Sequence, residues 1–78
     1  MNKKCIVIHM NNDHTYFIHQ PTELLYTRLH LALARKTIKH FIIDSSDAYV
    51  IIHNYDYISA RASEVNINLD EVLGIDFM

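Results

Sequence analysis

One glycine, one proline, one cysteine and no tryptophan occur in this chain of 78 residues. The lone glycine, Gly74, excludes a glycine-rich loop that cradles phosphate. With Cys5 as the only thiol, no intrachain disulfide forms, and an unpaired cysteine fits a reducing cytosol better than a secreted scaffold. No run approaches the roughly 18 apolar residues of a membrane span, and the basic start MNKKCIVIHM carries only a short apolar stretch. The expectation is an untargeted cytoplasmic protein. Repeats, low-complexity tracts and linkers are also missing, so the chain reads as one domain, residues 1–65, followed by an acidic and apolar C-terminal tail, residues 66–78.

Apolar side chains, by contrast, are plentiful: half of the residues. A chain this short draws only about 3 to 5 kcal/mol of net stability from one core, and small domains usually add disulfides, a metal or oligomerisation. Lacking disulfides, this one is expected to oligomerise. The net charge of −2 is unevenly spread. All seven Lys and Arg lie within residues 1–61, whereas the rest holds Glu64, Asp70, Glu71 and Asp76 and no base. An acidic end is commonly a solvated tail.

Periodicity gives the elements. Lys4 to Met10 alternates Ile6, Ile8 and Met10 on one face with Cys5, Val7 and His9 on the other. Asn11, Asn12 and Asp13 tolerate a left-handed turn, after which His14 to His19 returns as the second strand of a hairpin. Pro21 to Thr37 is the one long helical pattern, capped by Thr22 or Gln20. Its core stripe is Leu25, Tyr26, Leu29, Ala32 and Leu33. A second, narrower strip holds Leu24 and Leu31, with Arg28 and Arg35 between the two.

Residues 39–44 and 47–53 read as a second hairpin about a turn at Ser45 and Ser46, setting Asp44 opposite Asp47 and Ile42 opposite Tyr49. A third turn at Asn54, Tyr55 and Asp56 leads to a fifth strand, Tyr57 to Val65, with Ile58, Ala60 and Ala62 inward and Ser59, Arg61 and Ser63 outward, while Ala and Ser leave a helical reading of residues 59–65 open. A short helical turn follows at Leu69 to Leu73. The expected class is α+β: two β-hairpins flanking one amphipathic helix, order β-β-α-β-β-β, as a single antiparallel sheet with the helix on one face. The first, third and fourth strands are apolar on both faces, which a small barrel, the tail folded back or a second copy would each accommodate, and the expectation is a second copy with the tail able to take part.

Candidate chemistry is thin. Six histidines stand at 9, 14, 19, 30, 40 and 53, at spacings that make no metal-binding pair on one helix face and no Cys-His knuckle. Cys5 lies within an apolar strand, and Ser45 and Ser46 are explained by their turn. No catalytic residue, metal or cofactor is expected. Surface histidines offer association that depends on pH between about 5 and 7.

The expected function is that of a non-catalytic regulator, inhibitor or adaptor, of the size bacteria and phages carry, acting as a homo-oligomer through protein contacts. Leu24, Leu31, Leu69, Leu73 and Phe77 are the candidate partner-binding residues, with the tail as a second docking segment for another protein. The alternative is a small nucleic-acid-binding regulator using Arg28, Arg35, Lys36 and Lys39, with Tyr16, Tyr49, Tyr55 and Tyr57 as stacking platforms.

Overall fold

The computed structural model describes residues 4–35, 37–54 and 57–78. Lys36, Tyr55 and Asp56 fall outside these, as do the inward and outward orientations expected of Ile58 and Ser59 and the stacking role expected of Tyr57. The chain is α+β, its described residues forming seven strands and one α-helix in the order β1 (Cys5–Met10), β2 (His14–His19), α1 (Glu23–Ala34), β3 (His40–Asp44), β4 (Tyr49–Asn54), β5 (Tyr57–Ala62), β6 (Glu64–Asn68) and β7 (Val72–Phe77).

The first hairpin forms as its sequence dictates. Asp13 supplies the left-handed residue of the turn at φ 67°, and the Asn12 side chain accepts a hydrogen bond from the His14 amide. Ile6 pairs with Ile18 and Val7 with Phe17. The helix is shorter than its 17-residue sequence pattern. Thr22 caps it by accepting from the Leu25 amide, and the chain leaves helical geometry at Arg35. Leu25, Leu29 and Ala32 are buried and Tyr26 packs against them, while Leu33, expected in the same stripe, lies at the rim, 40% exposed.

The second hairpin and the single sheet do not form. Five strands make one antiparallel sheet in the order β5-β4-β2-β1-β7, and β3 pairs instead with β6 in a separate two-stranded sheet. The turn between β3 and β4 gives the reason. Asp44 accepts from the backbone and hydroxyl of Ser46, and its carbonyl accepts from the Asp47 and Ala48 amides, which winds the chain in a right-handed turn. A tight two-residue hairpin needs left-handed residues at its turn, and Ser45 and Ser46 are not among the residues of positive φ. The strands therefore part, and β4 joins β2, with Phe17 opposite Ile51.

The predicted fifth strand bends at Ser63 and becomes β5 and β6, one in each sheet. Residues 66–78, read as a tail, continue β6, make a 3-10 turn at Leu69–Glu71 and add β7 along β1, where Ile8 pairs with Ile75.

The core lies between the five-stranded sheet and a layer made of α1 and the β3–β6 sheet. Ile6, Ile8, Ile18 and Val50 enter it from the large sheet, Leu25 and Leu29 from the helix, and Ile43 and Ile67 from the small sheet, all at 1% exposure or less. The second face of the large sheet is turned away from this core.

Candidate functional site

The open face is built by the residues that alternate with the core positions. Cross-strand pairing aligns them in a row across all five strands: Arg61 on β5, Ile51 on β4, Phe17 on β2, Val7 on β1 and Asp76 on β7. Neighbouring strands lie about 4.8 Å apart, so the row runs roughly 19 Å from a cation at one sheet edge to an anion at the other. Its middle is apolar: Val7 is buried and Phe17 and Ile51 are half-buried, and all three stand outside the cluster between the sheets and the helix.

Two further rows flank it. On one side stand Cys5, His19 and Tyr49; on the other, His9, Thr15 and His53. The Phe17 ring has His19 and His53 at 6.5 Å, one stacked and one edge-on. The Arg61 guanidinium lies 4.4 Å from the centre of the Tyr49 ring, and His9 meets Asp76 at 3.1 Å. A cleft of about 360 Å³ between Lys4, Cys5, His19, Gln20, Tyr49 and Ile51 opens at one end of the face. Burial pushes the Cys5 thiol up from its ordinary range, an effect the backbone of Ile18 partly offsets.

The residues singled out from the sequence do not gather in one place. Leu24 and Leu31 lie on α1, 64% and 49% exposed. With Arg28 and Arg35 they form one stripe along the helix, and Leu31, Arg28 and Arg35 join Ile38, His40 and Ile42 around a groove of about 350 Å³ between α1 and β3. Leu69 packs against the core, and its amide is held by the Lys39 carbonyl at 2.7 Å. Phe77 lays its ring on His30, 5.2 Å away and nearly parallel, with Tyr26 beside it. Leu73 stands apart and exposed where β7 bulges against β1.

Of the candidate nucleic-acid residues, Arg28 is tied into the fold by Asp47 and by the Ile42 carbonyl, whereas Arg35 and Lys39 are exposed. Tyr16 faces inward and packs against the core. Burial, and secondarily the Glu71 carboxylate, raises its hydroxyl pKa, and only Tyr49 of the described candidate tyrosines faces out on the open sheet. The histidines scatter: His14 bonds Asn54 at 2.9 Å, His30 stacks on Phe77, and His40 lies on the outer side of β3. Among the described residues no three His, Cys, Asp or Glu side chains come together as a metal site would need, and no helix is long and apolar enough to cross a membrane.

The sequence pattern sets Val7 on the face opposite Ile6, Ile8 and Met10 but gives Phe17 and Ile51 no outward assignment. What sequence reasoning missed is their union into one row with Arg61 and Asp76, since that depends on which strands are neighbours. Comparison with protein-family models, with curated proteins and with solved structures returned no match.

Proposed function

We propose that this chain is a non-catalytic interaction protein, a small regulator, inhibitor or adaptor, that works as a homo-oligomer through the open face of its five-stranded sheet. The observation that carries this reading is the apolar centre Val7–Phe17–Ile51 on the sheet face turned away from the helix and the small sheet, with Val7 buried and Phe17 and Ile51 half-buried. An antiparallel sheet exposed to water on one side normally turns polar residues to that side. Here the middle of the face is apolar and the polar groups sit at its margins, the arrangement of a protein interface with an apolar core and a polar rim. Strands of about six residues give the face a projection of roughly 24 by 20 Å.

The supports for this reading extend to the size of the protein. A single core of this length leaves little net stability, and apolar burial at about 25 cal/mol per Å² adds to it when a second copy docks. A lone thiol fits a reducing compartment such as the cytosol. The basic-flank alternative draws less support, because Arg28 is held within the fold and the chain as a whole is acidic.

Sedimentation velocity across a micromolar concentration range tests the reading. The expected result is a species heavier than 9.2 kDa that Phe17→Glu returns to the monomer while far-UV circular dichroism stays unchanged. A stable, folded monomer at every concentration overturns it.

A further inference from the structure

From the charge pattern of the open face, and resting on the self-association proposed above, we infer that the partner is a second copy docked face to face about a two-fold axis running along β2 past Phe17. The central row is ordered Arg61, Ile51, Phe17, Val7, Asp76, with a cation at one end and an anion at the other. A two-fold axis between stacked sheets has two simple settings. Along the strands, it reverses the row: Arg61 meets the partner's Asp76, Ile51 meets the partner's Val7, and Phe17 meets its own counterpart. Across the strands, it keeps the order of the row and sets Arg61 against Arg61 and Asp76 against Asp76. The first setting pairs opposite charges twice at the rim and apolar groups throughout the middle; the second stacks like charges at both ends, which costs affinity.

The geometry tolerates the twist of real sheets. Packed sheets lie about 10 Å apart and turn about 30° relative to each other. Each row end lies about 10 Å from the axis, so that turn displaces it by about 5 Å, within the reach of an arginine side chain. Both end groups reach solvent: Arg61 is exposed with its guanidinium 4.4 Å from the centre of the Tyr49 ring, and the Asp76 side chain is 69% exposed with one oxygen on His9. An open sheet with charges of one sign at its margins would offer no such choice of setting.

A charge exchange tests the axis. Arg61→Asp sets two acids against each other at both rims of its own homodimer, and Asp76→Arg sets two bases against each other. Each variant alone is expected to associate about tenfold more weakly than the parent, or worse. An equimolar mixture of the two restores opposite charges at both rims, so the mixture, and the doubly exchanged chain, are expected to recover the parental affinity. Sedimentation equilibrium at low salt reads the association constants, and thermal unfolding of each variant confirms that it is folded. Weak single variants rescued by mixing support the axis. A parent chain that associates, with variants that mixing does not rescue or that associate as the parent does, overturns the axis and leaves self-association standing. A parent chain that never associates overturns both.

Discussion

The Arg28 guanidinium on α1 lies 3.0 Å from the Asp47 carboxylate in the turn between β3 and β4, and it donates a second hydrogen bond to the Ile42 carbonyl. It also rests over the Phe41 ring at 5.2 Å, while the other Asp47 oxygen accepts from the Asp44 amide. One side chain thereby ties the helix to the strand beside it and to the turn that sends β4 into the other sheet.

Removing that tie leaves a largely buried Asp47 carboxylate, 13% exposed, without its cation. Arg28→Ala is expected to cost about 1 to 3 kcal/mol in urea denaturation. Arg28→Lys keeps the charge but loses the forked donors and the stacking, and recovers only part of the difference. An unchanged midpoint for Arg28→Ala would mean that the pair adds nothing.

The two sides of the helix should respond unequally. Leu29 is fully buried, so Leu29→Ala is expected to cost about 2 to 5 kcal/mol. Leu31 is half exposed, and Leu31→Ala should change stability by about 0.5 kcal/mol or less. Equal losses in thermal unfolding would show that the groove beside β3 is part of the core.

Gln20 holds a left-handed backbone, φ 52°, where the chain passes from β2 to the helix. Side chains other than glycine are strained there by about 1 to 2 kcal/mol, against which glycine carries its own entropic cost in the unfolded chain. Gln20→Gly is expected to be neutral or to stabilise by up to about 1 kcal/mol, and Gln20→Val to destabilise by about 1 kcal/mol or more. Chemical denaturation of the two variants side by side is the measurement.

The Ser46 hydroxyl, followed by the Ser46 amide, holds the Asp44 carboxyl below its ordinary value of 3.8. A depressed carboxyl contributes stability that is fully present above 3.8 and is lost as the pH falls through the lower folded-state value. Asp44→Asn should therefore be less stable than the parent near neutral pH, and the two unfolding curves should converge in strong acid. A gap that stays constant from pH 7 to pH 2 would show that the ionised carboxylate contributes nothing.

Much of the fold could be read from residue order, and the reason is local. The alternation of Ile6, Ile8 and Met10 against Cys5, Val7 and His9, the Asn-Asn-Asp turn, and the stripe of Leu25, Leu29 and Ala32 are all written within a few neighbouring positions. Strand partners are not. Phe41 and Ile43 face inward in a hairpin with β4 as well as in a pair with β6, so their spacing fits both, and the Asp44–Ser46 hydrogen bonds decided between them. The same limit hid the open-face row, whose five members come from five strands. It hid the fate of Arg28 too, because its partner Asp47 lies nineteen positions away on another element.

The pairing of β7 with β1 makes the last strand a neighbour of the first. Until β7 is in place, β1 is a sheet edge with Ile6, Val7 and Ile8 along it, the kind of apolar strand that recruits other chains. Non-local pairings of this sort also fold slowly, since a long loop closes before any contact rewards it. On a ribosome the large sheet completes only after Phe77 emerges, and a chain interrupted before Val72 presents an unguarded edge for as long as it survives.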